Sequence, residues 1–510
     1  MISFKKGLKG AVESDRASSG VMTALVILLF MVVNAILFTL TQAFGWQFSY
    51  VDEYDYSLSG STDALFAEAI EKEKKVKISF CMGEDEIKVH STGAEVYTTA
   101  KNFAERYPEL IELNYINIIT RQDKDGNLVS LSKYQKDMDG NENRIHKTSV
   151  IFECGKNYRV VTDNVTAAGF ASFFNLDSSL YVNSYNGEEV IAAMISWVLT
   201  DEHRTAYFTQ HHGETAEISF SNLLVCAGYE VDTVDVRQNK IPDDCDLLVI
   251  SNPTSDFEAA REGSGVEGSA EVDRLKAYIE RGGNILVTLD PYVKSLPVLE
   301  GVLAEHGITF STSTLSDGRV VRNMVKEDSE AIIRDGFTFV AGFAESELGT
   351  KMGETVSKYS SDPVILLRDA SALELSGRAT PILSASGTAR LEAGGSVTSR
   401  EGGYTVAAAS EHITESGEVA RIFVVPSIYL AVSDSLITNG YSNKDFIYSI
   451  FDVFYGAENM PYGCNSVVYS SQTLENLTMG TARLYTILVM AIPAAIAIVG
   501  AVIIVRRKNR

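Results

Sequence analysis

The sequence predicts an α/β protein: a membrane-anchored ectodomain with a small N-terminal α/β module and a doubly wound parallel sheet, framed by two transmembrane helices. Three observations predict it. Residues 21–40 (VMTALVILLFMVVNAILFTL) and 484–505 (LYTILVMAIPAAIAIVGAVIIV) carry no charged side chain, and about twenty apolar residues is the length of helix that crosses a hydrocarbon core. Between them, apolar strand-like runs alternate with amphipathic helical stretches on short links, the pattern of a parallel sheet with helices on its faces. With 45% hydrophobic residues and only 10 prolines among 510 residues, a disordered or collagen-like chain is excluded.

The flanks orient the spans. Lys5, Lys6, Lys9 and Arg16 precede the first span, and Arg506, Arg507, Lys508 and Arg510 follow the second. The positive-inside rule therefore places residues 1–20 and the tail 506–510 in the cytoplasm of a two-pass cell-membrane protein. Trp46, Phe48 and Tyr50 suit the outer headgroup level. The rival reading is a cleaved signal peptide ending at Ala43-Phe44-Gly45, but an apolar core this long exceeds the roughly 7–15 residues of a signal and favours an anchor. Residues 45–480 then lie outside the cytoplasm, with 35 basic and 65 acidic residues. That balance suits cations or plain solubility beside an anionic membrane, and it excludes a nucleic-acid partner. The five cysteines show no metal-ligand spacing, so neither a disulfide framework nor a zinc site is expected, and at least one thiol is free.

Along the N-terminal module (45–183), residues 57–75 read as a helix capped by Ser59 or Ser61, with Leu65, Phe66, Ala69 and Ile70 on one face. A strand at 76–81, a helix near 94–106 and a strand near 111–118 complete a β-α-β opening. The stretch 121–147, rich in Lys, Asp, Asn and Gly, reads as an exposed insertion, and 148–162 as a hairpin turning at Gly155-Lys156-Asn157. The doubly wound domain (184–311) opens with a helix at 184–199 whose first-turn Glu188 and Glu189 favour its dipole. Strands at 204–209, 229–236, 245–251, 284–290 and 307–311 follow, with helices at 214–227, 269–282 and 296–306 between them. CDLLVIS and NILVTLD are nearly continuous apolar runs, as expected of strands buried on both faces. The stretch 312–418 reads as a β-rich insertion. ARIFVVP (420–426) and NKDFIYSIFDVFY (443–455) return the chain, over 419–464, to the α/β domain. A polar juxtamembrane linker, 465–483, leads to the second span.

For chemistry, the chain contains no GxxxxGK[ST] phosphate loop, HExxH, EF-hand loop or GxSxG elbow. A doubly wound sheet binds ligands beyond the carboxyl ends of its strands. Those ends carry a candidate rim of His211, His212, Gly213, Glu214, Ser251, Asn252, Asp290 and Tyr292. A catalytic reading makes Glu214 or Asp290 a base and a histidine the proton carrier. The structural reading is favoured: Gly213 makes the turn, Glu214 complements a helix N-terminus, and Asp290-Pro291 ends a strand. No nucleophile or complete metal set converges there by residue type, and adjacent histidines on a strand point to opposite faces. No catalytic residue, metal or cofactor is expected.

Several segments together resemble a known family. SLSGSTDALF (57–66), SYNGEEVIAAMISWVLTDE (184–202), YFTQHHGE (207–214), LLVISNPTSDF (247–257) and AYIERGGNILVTLDPY (277–292) are similar to the GldG family. TPILSASGTARLE (380–392) and TNGYSNKDFIYSIFDVFYG (438–456) extend the likeness over nearly the entire chain. The family comprises gliding-motility-type auxiliary, substrate-binding-like components of ABC transport systems. The α/β part also resembles the glutamine-amidotransferase-like fold, whose enzymes carry a cysteine at a strand-to-helix elbow. Here Cys226 falls within a helix and Cys245 at the start of a strand, so the catalytic carry-over fails. The resemblance implies a non-enzymatic auxiliary component partnered by an ABC permease, a separate ABC ATPase subunit and membrane lipid. The alternatives are an extracytoplasmic hydrolase using the rim, and a cell-surface scaffold with no transported substrate.

Overall fold

The computed structural model describes residues 56–469, apart from residues 60, 137–141, 143, 163–169, 177–181, 216–217, 260–269, 329–334, 401, 438–439, 456–459 and 465. The apolar segments 21–40 and 484–505 lie outside the described residues. Among those described, no helix is long and apolar enough to cross a membrane. The fold is mixed α/β with a partly parallel sheet.

A first sheet is built from β1 (Val76–Phe80), β2 (Ile111–Tyr115), β3 (Val150–Cys154) and β4 (Asn157–Val161) in the order β2-β1-β3-β4. β1 and β2 are parallel, joined through the short helix α2 (Glu84–Ile87) and through α3 (Gly93–Arg106), while β3 and β4 form an antiparallel hairpin. The preceding helix α1 covers only Thr62–Glu71. It stops short of the expected end because Glu73 takes a left-handed φ of 51°, which a helix cannot continue through. The next helix, α4 (Gly187–Leu199), is buried on every side from Gly187 to Val198. A helix apolar all round must be covered all round: α4 packs on β3 and β4 on one side and on α5 (Ile218–Cys226) on another.

Two short strands, β5 (Phe174–Leu176) and β6 (Val182–Tyr185), precede α4. After it come the parallel strands β7 (Arg204–Thr209), β8 (Tyr229–Val234), β9 (Cys245–Ser251) and β10 (Asn284–Thr288). The helices α6 (Glu271–Glu280) and α7 (Pro297–Glu305) flank β10 in sequence. Alternate residues of β9 and β10 feed two different cores. Leu247, Val249 and Leu286 join α4 and α5 on one face, whereas Leu248, Ile250, Ile285 and Val287 join Leu275 and Ile279 of α6 and Leu299 and Leu303 of α7 on the other. The period-two alternation, applied to strands with no polar face, thus covers both sides of the sheet. Each such side chain contributes about 1.5–3 kcal/mol by burial. The turn from α6 into β10 is close-set: at Gly283 a Cβ would lie 2.4 Å from Tyr278 Cζ, leaving no room for any other residue.

The stretch 312–418 extends this same sheet with five of its ten strands, and the other five form two small sheets of their own. It supplies β12 (Thr312–Thr314), β13 (Val320–Arg322), β14 (Met324–Lys326), β15 (Thr338–Phe343), β16 (Ile365–Arg368), β17 (Leu373–Leu375), β18 (Thr380–Ser384), β19 (Arg390–Ala393), β20 (Ser396–Ser399) and β21 (Thr405–Ile413), after β11 (Ile308–Phe310). With β22 (Val419–Val425), the main order is β16-β15-β18-β21-β22-β10-β9-β7-β8. It is parallel from β8 to β22 and antiparallel from β22 to β16. The stretch also contains a helix that sequence periodicity does not announce, α8 (Glu347–Ser357), N-capped by Ser346 Oγ accepting from the Gly349 amide at 2.9 Å.

α9 (Ser433–Ile437) and α10 (Asn443–Tyr455) follow, and Phe446, Ile447, Ile450, Phe451 and Phe454 of α10 enter the first core. The last described strand, β23 (Val467–Val468), pairs antiparallel with β6. Here the first and last described residues meet in one aromatic cluster. Tyr56 packs edge-on to Tyr185 at 5.5 Å, Tyr469 stacks on Phe174 at 6.4 Å, and Phe174 contacts Tyr185 at 5.1 Å.

Candidate functional site

Read by chain order, the parallel strands β8-β7-β9-β10-β22 run second, first, third, fourth, fifth. The order reverses between β7 and β9, and in such sheets the crevice beyond the carboxyl ends at that point is where ligands bind. The loops after β7 and β9 bring His211–Glu214 and Ser251–Asn252 there.

The β7 loop turns through two left-handed residues, His211 (φ 79°) and Gly213 (φ 74°). The turn directs His212 inward and leaves His211 on the surface, 3.6 Å from Asp235. The His212 side chain is only 3% exposed and lies between two carboxylates: Nδ1 is 2.9 Å from Glu214 Oε1, and Nε2 is 3.1 Å from both oxygens of Glu271. Its ring stacks on Phe257 at 4.0 Å and 13°. Burial disfavours the imidazolium, but hydrogen bonds to Glu214 and Glu271 outweigh it and hold the His212 pKa above its ordinary value. Burial likewise works against the Glu214 carboxylate, and its bonds to His212 and to backbone amides keep its pKa low. Glu214 Oε2 accepts the His212 amide at 2.6 Å and Glu271 Oε2 the Glu258 amide at 2.5 Å.

The two loops are then stitched together. The His212 carbonyl accepts the Thr254 and Ser255 amides at 2.8 Å each. Ser251 Oγ donates to the Thr215 carbonyl at 2.8 Å, and the Thr215 amide to the Ser251 carbonyl at 3.0 Å. This last bond ties Thr215 to the neighbouring strand end, so the helix expected from 214 does not include 214–215. Gly213 sits against Thr254 so closely that a Cβ would fall 2.0 Å from its Oγ1. Asn252 is itself left-handed (φ 51°), with its amide donating to the Thr288 carbonyl at 2.9 Å and its Oδ1 buried without a partner. His212, Gly213, Glu214, Ser251 and Asn252 therefore share one closed, cross-linked patch.

Asp290 and Tyr292 belong elsewhere. Asp290 Oδ1 accepts the Tyr292 amide at 2.9 Å, and the Tyr292 hydroxyl donates to Asp369 at 3.0 Å. Arg322, paired with Glu300 at 2.7 Å, donates to the Val293 carbonyl at 2.7 Å. Among the described residues no hydrogen bond or ion pair joins Asp290 or Tyr292 to the His212 cluster. A proton relay that uses His211, Glu214 and Asp290 together is therefore not assembled. Both His212 ring nitrogens are occupied by carboxylates, so the imidazole is not free to take a proton from a substrate. No group of three His, Cys, Asp or Glu among the described residues is arranged to hold a metal.

Sequence reasoning did not identify Glu271 and Phe257, nor a second polar centre around α4 and α10. There Lys444 Nζ lies 3.2 Å from Glu189 Oε1, which also accepts the Tyr448 hydroxyl at 2.7 Å. A small cavity beside them is lined by Asn175, Asn186, Ser219 and Asn222. For the second centre the available signal was the charge in the first turn of α4 and α10, helices that are mostly apolar, a placement that burial makes costly unless the charge is paired.

No protein-family model and no curated protein matches the chain. Solved structures are similar over about half of it. "mmIFT52 N-terminal domain" is 14% identical over 49% of this chain and 96% of its own, with a TM-score of 0.35. PurLQS from Thermotoga maritima is 12% identical over 49% of this chain and 99% of its own, at a TM-score of 0.26. A ThuA-like protein from Bacteroides uniformis is 12% identical over 49% and 91%, at 0.26. Likenesses this remote carry no argument about activity.

Proposed function

We propose that the chain is a membrane-anchored, non-enzymatic auxiliary component of an ABC transport system, whose extracytoplasmic α/β domain binds a partner or transported substrate. The observation that carries the non-enzymatic part is the stitching of the switch-point crevice, where each hydrogen-bonding atom of the His212 ring is engaged within the protein. The hydrolase alternative needs that histidine free. In this reading the α/β part is a doubly wound sheet like that of glutamine amidotransferases without their nucleophile. Cys226 ends α5 and Cys245 opens β9. Burial pushes both thiols up, Cys245 to about 12, and a protonated thiol is a poor nucleophile. The transport part rests on the GldG-like segments and on the apolar runs 21–40 and 484–505, with the absent phosphate loop requiring a separate ATPase.

The test is extraction of the full chain from its native membrane and identification of what accompanies it. The expected result is co-purification of a polytopic permease and an ABC ATPase; repeated recovery without either refutes the transport reading. Protease added to intact spheroplasts is expected to cut within 121–147 while the tail after Val505 stays protected. A tail cleaved before the membrane is permeabilised overturns the two-pass topology.

A further inference from the structure

Polar side chains from three helices converge on the small cavity beside α4 and α10. Glu189 comes from α4, Asn186 from the residue just before it, Asn222 from α5 and Lys444 from α10. Glu189 and Lys444 are buried, whereas Asn222 is exposed and marks the mouth. The cavity encloses about 20 Å³, enough for one group the size of a water. Val190 and Leu223 give it an apolar wall.

Hydrogen bonds within the protein leave this lining incomplete. An ammonium carries three protons, and Lys444 Nζ directs two of them, to the Cys464 carbonyl at 2.7 Å and to Glu189 Oε1 at 3.2 Å. Glu189 Oε1 also accepts the Tyr448 hydroxyl at 2.7 Å, and among the described residues no hydrogen bond reaches Glu189 Oε2. Asn186 Oδ1 is buried without a partner. Although Asn186 stands at the N-cap position of α4, its side chain caps no helix amide. Buried polar groups in folded proteins are hydrogen-bonded, so a spare donor and two spare acceptors around one space fit a guest that offers both. The Lys444–Glu189 pair is neutral overall, and a charged guest would gain no net attraction to offset the loss of its water. A hydroxyl donates one proton and accepts two, which matches Glu189 Oε2 and the third proton of Lys444, with its carbon against Val190 and Leu223. The Asn186 and Asn222 amides supply donors and acceptors for a second hydroxyl on the neighbouring carbon.

We propose that this cavity binds an uncharged vicinal diol, the terminal unit of a polyol, with one hydroxyl seated between Lys444 and Glu189 and the next at Asn186 and Asn222. The inference rests on the cavity and not on the transport reading, and its failure leaves that reading standing.

Saturation-transfer NMR on the full chain in deuterated detergent tests it, with ethylene glycol as the probe and ethanol, acetate and methylammonium as controls. A guest this small is expected to half-saturate the site at about 10 mM. Ethanol, which lacks the second hydroxyl, is expected to bind about tenfold more weakly, and neither ion is expected to saturate. Asn186→Ala deletes an amide whose oxygen has no partner in the protein, so the fold is expected to survive, judged by unchanged Trp197 fluorescence, while ethylene glycol binding falls about tenfold. Asn222→Trp fills the exposed mouth and is expected to abolish binding. An ethylene glycol signal that does not saturate below about 200 mM, the result for a cavity holding ordered water only, overturns the proposal. So does equal binding of ethanol, saturation by either ion, or ethylene glycol binding unchanged in either variant.

Discussion

Replacing His212 with phenylalanine removes the imidazolium that hydrogen-bonds both Glu214 and Glu271 while leaving a ring to stack on Phe257. The carboxylates are 8% and 4% exposed, and in the variant each retains a backbone amide, from His212 and Glu258 respectively. Deleting one partner of a buried charge cluster costs about 3–5 kcal/mol, because the remaining charge is left desolvated. The pH dependence follows from the raised His212 pKa. The contribution of the imidazolium is fully present below about pH 6.5, the ordinary histidine value, and is lost as pH rises through the higher folded value. The gap between wild type and variant is therefore widest near neutrality. It narrows in alkali as His212 loses its proton, and in acid as Glu214 gains one. Urea unfolding of the full chain in detergent, followed by fluorescence over a pH series, measures this. Trp197, buried and stacked on His203 at 3.7 Å, is a suitable reporter. A gap below about 1 kcal/mol at neutral pH would show that the cluster is not the buried ion system inferred here, and identical wild-type and variant slopes above neutrality would show that His212 is not its titrating member.

Gly213→Ala combines a left-handed φ of 74° with a Cβ placed 2.0 Å from Thr254 Oγ1. Its expected destabilisation is about 2–4 kcal/mol by the same unfolding assay, and a neutral result means the two loops can separate freely. Lys444→Met strands Glu189, 5% exposed on its side chain, at about 3–5 kcal/mol. Adding Glu189→Gln is expected to restore more than about 1 kcal/mol, because the uncompensated charge is then gone. Strict additivity in that double-mutant cycle would show that the two residues do not interact.

The centre of the parallel half of the sheet is legible in the sequence because β9 and β10 have no polar face. RTAYFT, CDLLVIS and NKDFIYSIFDVFY are apolar runs whose lengths and flanking turns delimit them, and β7, β9 and α10 occupy those residues. The antiparallel half is not legible. β15, β18 and β21 acquire their places by pairing with one another and with β22, and no local pattern reports which strand a short, Ser- and Thr-rich run will meet. α8 is hidden for a related reason: ELGTKMGETVS includes two glycines, poor helix formers, and the buried Met352 and Val356 hold the helix against the sheet. At the site, the strand-end rule selects His212, Glu214, Ser251 and Asn252 from sequence. It cannot supply Glu271, which reaches His212 across 59 residues of chain, nor separate Asp290 and Tyr292, which end a neighbouring strand but bond toward Asp369.

The meeting of Tyr56 and Tyr469 in one aromatic cluster has a mechanical consequence. A pull applied through both flanking segments enters the domain at a single corner, through the rings and the short β6–β23 pair. Its path bypasses the nine-strand run of the main sheet. The first contacts to yield are then the few bonds of β23, opened one after another as in a zip, and not the long parallel ladders, which break together when sheared. Tension between those two ends is therefore borne at this corner, by the rings and the short β6–β23 pair, before it reaches the ladders of the main sheet.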